Sequence, residues 1–147
     1  MPVAYCTQTD ILTQISQTDI IPFLDDYGTG NADYTLLNSI ILNASDFVDG
    51  LLASIYTTPF PYPYPAKCRS ATLVFTCYFL YQRRLTPDEK NPFKARKDLW
   101  EKTLLEIGNG TQELDANYPR QYQPGVDITY QSVLSVNPVT GQPITMM

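Results

Sequence analysis

The residue types that could do chemistry in this chain are carboxylates, phenols and thiols, because the sequence contains no histidine. Imidazole is thereby excluded as a base, a metal ligand or a pH switch, and with it most Ser-His, Cys-His and common zinc mechanisms. Asp46 and Asp49 stand three residues apart, the spacing that puts two carboxylates on one helix face. With Tyr56 nearby they are the best candidates for acid–base work. The alternative reading is two aspartates solvated on a surface helix. No base, nucleophile and oxyanion donor converge anywhere in the sequence, so the expectation is that the protein is not an enzyme.

Two further patterns invite a metal or redox reading. In Asp25 to Asp33 (DDYGTGNAD), Asp25 and Gly30 fit positions 1 and 6 of a calcium loop. Tyr27, Thr29 and Leu36 then occupy positions that require oxygen ligands, so the segment reads as a turn leading to an Asp33 helix cap. Cys6, Cys68 and Cys77 form no C-x-x-C pair, and the last two lie in apolar sequence, which suits small buried side chains. A phosphate-binding glycine loop and a nucleophile elbow are also missing. No cofactor and no metal are expected.

The chain has 147 residues, the length of one domain, with 44% hydrophobic and only 17% charged side chains. Its net charge is −5, a poor match to phosphate backbones, so no direct nucleic-acid binding is expected. The charge is unevenly divided. Residues 1–66 carry seven aspartates and no Lys or Arg; residues 67–102 carry nine basic and four acidic groups; residues 103–147 carry one basic and four acidic groups. A signal peptide is not apparent at the N-terminus, and the most apolar run, Ala71 to Tyr81, is too short to span a bilayer. The expectation is a protein made in a reducing cytosol with no membrane contact.

The elements that position these groups are helical. Thr7 and Asp10 form a T-x-x-D start, followed by Ile11, Leu12 and Ile15. A second short helix fits Thr18 to Leu24, with Pro22 inside it. From Asp33, apolar residues repeat at three- and four-residue steps from Leu37 to Ile55, predicting a long helix that ends at Tyr56. Thr57 to Pro65 (TTPFPYPYP) forbids helix and predicts a stiff, polyproline-like link. Ala66 to Arg84 is apolar nearly all round, the mark of a central helix. A last helix is predicted to open at Asn91-Pro92 and to stop at Gly108 in the left-handed conformation.

After Gly110 the helical period disappears. Val126, Ile128 and Tyr130 alternate with polar residues, and Asn137 to Gly141 reads as a turn. The expected architecture is all-α, a small bundle of about four to five helices. Residues 1–110 form the helical domain and residues 111–147 an extended C-terminal arm that can make a β-hairpin. One hairpin is not stable alone, so the arm must fold back, stay mobile or join a neighbour. A chain with an acidic N-terminal block and a basic block at residues 67–102 can attract its next copy head to tail, acidic flank to basic flank. The candidate subunit-interface residues are Lys94, Arg96 and Lys97 on the basic side, Asp46 and Asp49 on the acidic side, and Tyr130 and Leu134 in the arm.

These segments together resemble a family of small proteins encoded among the head and tail genes of Mu-like phages and prophages. The likeness is carried by Tyr5 to Leu12 (YCTQTDIL), the Asp/Gly turn from Asp25 to Asp33, and Ala44 to Ala53 (ASDFVDGLLA) with Tyr56 and Pro59. It continues in Pro65 to Leu80 and in the Trp100 helix to Gly108, covering residues 3–110 in order. The layout is similar to that of phage head–tail connector proteins. The resemblance implies a helical subunit of a homo-oligomeric ring at the capsid portal or neck, contacting portal and other neck or tail proteins. Its place would be the host cytoplasm during assembly and then the head–tail junction of the virion. It implies no catalytic residues. The proline-aromatic link and the long arm depart from that pattern. The alternative is a non-virion adaptor of a mobile element that binds one protein partner through its C-terminal arm.

Overall fold

The structure, a computed structural model, describes residues 3–115 and Tyr118. Five α-helices, α1 (Gln8–Leu12), α2 (Gln17–Leu24), α3 (Tyr34–Leu52), α4 (Ala66–Arg83) and α5 (Lys94–Gly108), account for the regular structure, with one short 3-10 turn at Asp88–Lys90. Among the described residues there is no strand, so the helical part is all-α as expected. The β-like alternation of the arm lies outside the described residues.

Local chemistry starts the first three helices. The Thr7 hydroxyl accepts from the Asp10 amide while the Asp10 carboxylate accepts from the Thr7 amide, a complete capping box. Cys6 and Ile11 stand at the staple positions on either side of that cap and share one core cluster. Ser16 caps α2, and Pro22 sits within it. Asp33 caps α3 by accepting from the amides of Thr35 and Leu36.

α3 and α4 are the central pair. They run in opposite directions, since Leu36 and Arg83 line one groove while Phe47 packs edge-on to Phe75 at 5.1 Å. α5 lies across both, and α1 and α2 close the remaining sides of α4. α4 therefore meets every other helix, which is why its sequence lacks a polar stripe. Two core clusters result. One gathers Tyr5, Val48, Leu52, Phe60, Phe75, Leu104 and Ile107; the other gathers Ile11, Ile20, Leu24, Leu37, Ile41, Leu80 and Phe93.

Four local expectations need correction. α3 ends at Leu52, not Tyr56; Ile55 and Tyr56 remain buried, but their amides both turn back onto the Leu52 carbonyl. The Pro link is not a straight polyproline segment. It bends, with cis bonds at Thr58-Pro59 and Tyr62-Pro63, and inserts Phe60 into the core. α5 begins at Lys94, not at Pro92: Phe93 holds the cap position without a side-chain cap, and Asn91 instead fixes the approach, its side chain accepting from the Phe93 amide and donating to the Tyr78 carbonyl. Finally, Gly108 is helical and the left-handed residue is Gly110, at φ +86°.

Gly108 has a different task. A Cβ built there would lie 2.2 Å from the Leu51 carbonyl oxygen, and the Ser54 hydroxyl donates to the Gly108 carbonyl at 2.8 Å. The close crossing of α3 and α5, not a turn, requires glycine at this position.

Candidate assembly surfaces

Tyr5, one of the residues carrying the phage-family likeness, organises the region around Asp49. It is 1% exposed. Its amide donates to the Ser45 hydroxyl at 3.1 Å, and that hydroxyl donates in turn to the Ile41 carbonyl. Its phenol donates to Asp49 Oδ1 at 2.5 Å and accepts from the Phe60 amide at 3.0 Å. The ring meets Tyr64 edge-on at 5.0 Å. Burial, and then the Asp49 carboxylate, hold the phenol well above its ordinary range. Asp49 is itself raised by burial, against the opposing hydrogen bond from Tyr5, with the Asp46 charge adding to the rise.

The two aspartates therefore have separate environments. Asp46 is exposed, as a solvated helix residue is expected to be. Asp49 is half-buried and bonded to Tyr5, because the N-terminal segment crosses α3 above it. Tyr56 is spent in the same way, its hydroxyl accepting from the Leu114 amide at 3.1 Å. Tyr118 packs its ring on Phe60 and donates to the Pro63 carbonyl. The beginning of the arm thus lies against its own domain. These phenols hold loops to the core; sequence reasoning named Tyr56 for chemistry and assigned Tyr5 no role. The Tyr5 signal was its place just ahead of the α1 capping box.

The cations of α5 are engaged locally. Lys94 meets Asp98 at 2.6 Å, and Lys97 meets Glu101 at 3.0 Å and Asp98 at 3.8 Å. The Lys94 hydrogen bond holds Asp98 below the usual carboxylate range and raises Lys94 in return. Lys97 also lies 5.2 Å from the Tyr78 ring centroid. The Arg96 guanidinium stacks 4.6 Å from the Phe93 centroid and reaches Gln14 at 3.4 Å. The face is laced with local i,i+4 ion pairs. Asp46 and Asp49 lie on α3, and Lys94, Arg96 and Lys97 on α5; no contact joins the two sets among the described interactions.

Part of the charge division is satisfied within one subunit. Asp26, from the acidic block, pairs with Arg83 at 2.8 Å and Arg84 at 3.3 Å, from the basic block. The arginines hold Asp26 below its ordinary value, chiefly through the Arg83 hydrogen bond. Beside it, Asp25 accepts from the amides of Thr29 and Gly30 at 2.8 and 2.7 Å, which lowers its carboxyl too. The Asp/Gly loop spends this carboxylate on its own backbone. Among the described residues, no three Asp, Glu or Cys side chains gather in a metal-binding group.

All three cysteines are free and buried, and burial pushes each thiol up to about 12. They pack as small hydrophobes. Elsewhere, large apolar side chains face outward: Tyr27 is 91% exposed and Leu85 is 89% exposed, with Leu85 at φ +57°. Tyr130 and Leu134, the arm's two interface candidates, lie outside the described residues. No helix among the described residues is long and apolar enough to cross a membrane.

A small helical frame is common to many proteins, and the family model decides between them. The model described as "Bacteriophage Mu, Gp36" matches residues 5–127. The chain belongs to this phage protein family. The match begins at the anchoring Tyr5, includes all five helices and continues past Gly110 into the arm, farther than the resemblance read from the sequence. A search of curated proteins finds no match. Membership of the Bacteriophage Mu, Gp36 family supports a role in phage structure or morphogenesis.

Proposed function

We propose that this protein is a non-enzymatic structural subunit of a phage virion, a head–tail connector or head-completion protein. It forms a homo-oligomeric ring at the capsid portal or neck, against portal and other neck or tail proteins. It occupies the host cytoplasm during assembly and the head–tail junction afterwards. The observation that carries this reading is the family match over residues 5–127.

The site chemistry agrees with it. Tyr5, Asp49 and Tyr56, the groups best suited to proton transfer, are engaged in holding the N-terminal segment and the loops. Exposed Asp46 and the basic side of α5 supply the opposite charges that a head-to-tail contact uses. Such a contact weakens with added salt.

Incubation of the purified protein with portal complexes, followed by electron cryo-microscopy, tests the proposal. A ring of subunits on the portal is the expected result. Failure to bind either portal complexes or assembled heads would overturn it. Joint reversal of Lys94, Arg96 and Lys97 to Glu tests the charge contact separately: association unaffected by both reversal and salt would remove it.

A further inference from the structure

A groove lies between the N-terminal half of α3 and the C-terminal end of α4, at the end of the bundle away from the Pro link. Leu36, Ile40 and Phe79 give it an apolar floor, and Ser39 and Gln82 give it a neutral polar rim. Arg83 also borders it, but its guanidinium is held by Asp26 and the Phe23 carbonyl. The volume is about 480 Å³, against about 210 Å³ for the cleft beside Cys6 and Arg69. An apolar floor with a hydroxyl and an amide at its rim suits an extended segment. Apolar side chains would enter the groove while the rim bonds peptide groups.

The chain carries such a segment. Val126, Ile128 and Tyr130 alternate with Asp127 and Thr129, so an extended conformation collects the three apolar side chains on one face. Reach agrees. Tyr118 is fixed on Phe60 and Pro63, beside the start of α4. At ~1.5 Å per helical residue, Phe79 stands roughly 20 Å along α4 and Arg83 roughly 26 Å. At ~3.3 Å per extended residue, Val126 can lie up to roughly 26 Å from Tyr118, and Tyr130 up to roughly 40 Å. A tether this short supplies a local concentration in the millimolar range, which favours the chain's own segment over another copy's.

We infer that the groove between α3 and α4 holds Val126, Ile128 and Tyr130 of the chain's own C-terminal arm. Tyr130, one of the candidate interface residues, is then covered within the subunit. The inference does not depend on the ring proposal.

Disulfide trapping in the full chain tests it. Gln82→Cys is combined with Ile128→Cys and oxidised at low protein concentration. The native thiols are buried, so the new pair dominates the reaction. The expected product is an internal crosslink in the monomer, read by mass spectrometry. Filling the groove with Ser39→Trp should lower its yield by about ten-fold, as the tethered segment is displaced. Independently, Ile128→Asp with the helices unaltered should speed amide exchange over residues 36–43. A crosslink formed only between copies overturns the inference. So does an internal yield indifferent to Ser39→Trp, or exchange unchanged by Ile128→Asp.

Discussion

The Tyr5 phenol and the Asp49 carboxylate meet at 2.5 Å across 44 residues of sequence, joining the segment before α1 to the C-terminal end of α3. The same phenol oxygen accepts the Phe60 amide, so one side chain ties together three parts of the chain. Removing the hydroxyl with Tyr5→Phe keeps the ring but strands a buried amide. The expected loss is about 1–3 kcal/mol of unfolding free energy by urea titration. Tyr5→Ala, which also removes the ring, should cost about 3–5 kcal/mol.

Asp49 also gives stability a distinctive pH dependence. Its folded-state pKa is raised, so its favourable contribution is present at low pH and is lost as pH rises through that raised value. Asp25, Asp26 and Asp98 have the opposite sign: depressed in the folded state, they support it above the usual carboxylate range and lose that support as pH falls. The stability of the wild type relative to Asp49→Asn should therefore decline as pH rises from the acid side, then level off. Parallel denaturation curves across that range measure it, and a difference that grows with pH would contradict the assignment.

Two glycines on packed helices should respond in opposite directions to alanine. Gly108→Ala places a methyl group 2.2 Å from the Leu51 carbonyl oxygen, and backbone cannot simply swing aside. A loss of about 1–3 kcal/mol is expected despite the better helix propensity of alanine. Gly50, inside α3, has open space where its Cβ would stand. Gly50→Ala should stabilise the protein by about 0.5–1 kcal/mol. Thermal unfolding of the two variants side by side provides the comparison.

Leu85 combines a left-handed backbone with a side chain 89% exposed. Leu85→Gly relieves the backbone at almost no cost in burial. The expected gain is about 1 kcal/mol, visible as a higher Tm. If the gain is found and portal binding falls, the exposed leucine serves a contact.

Much of the frame was legible in the amino-acid sequence because its causes are local. Thr7 with Asp10, and Asp33, mark helix starts by satisfying nearby amides, and the apolar repeat from Leu37 to Leu52 marks the buried face of α3. The all-round apolar character of α4 announced its central place, and the order of the segments pointed to the phage family that the match over residues 5–127 establishes. What the sequence could not decide depends on groups distant in the chain. Asp46 and Asp49 look equivalent on a helix face, yet only the fold lays Tyr5 over Asp49 and leaves Asp46 in water. Gly108 looks like a helix stop, yet its missing Cβ is set by Leu51 on another helix. Burial and close approach are properties of two elements together, so tertiary structure alone assigned those roles.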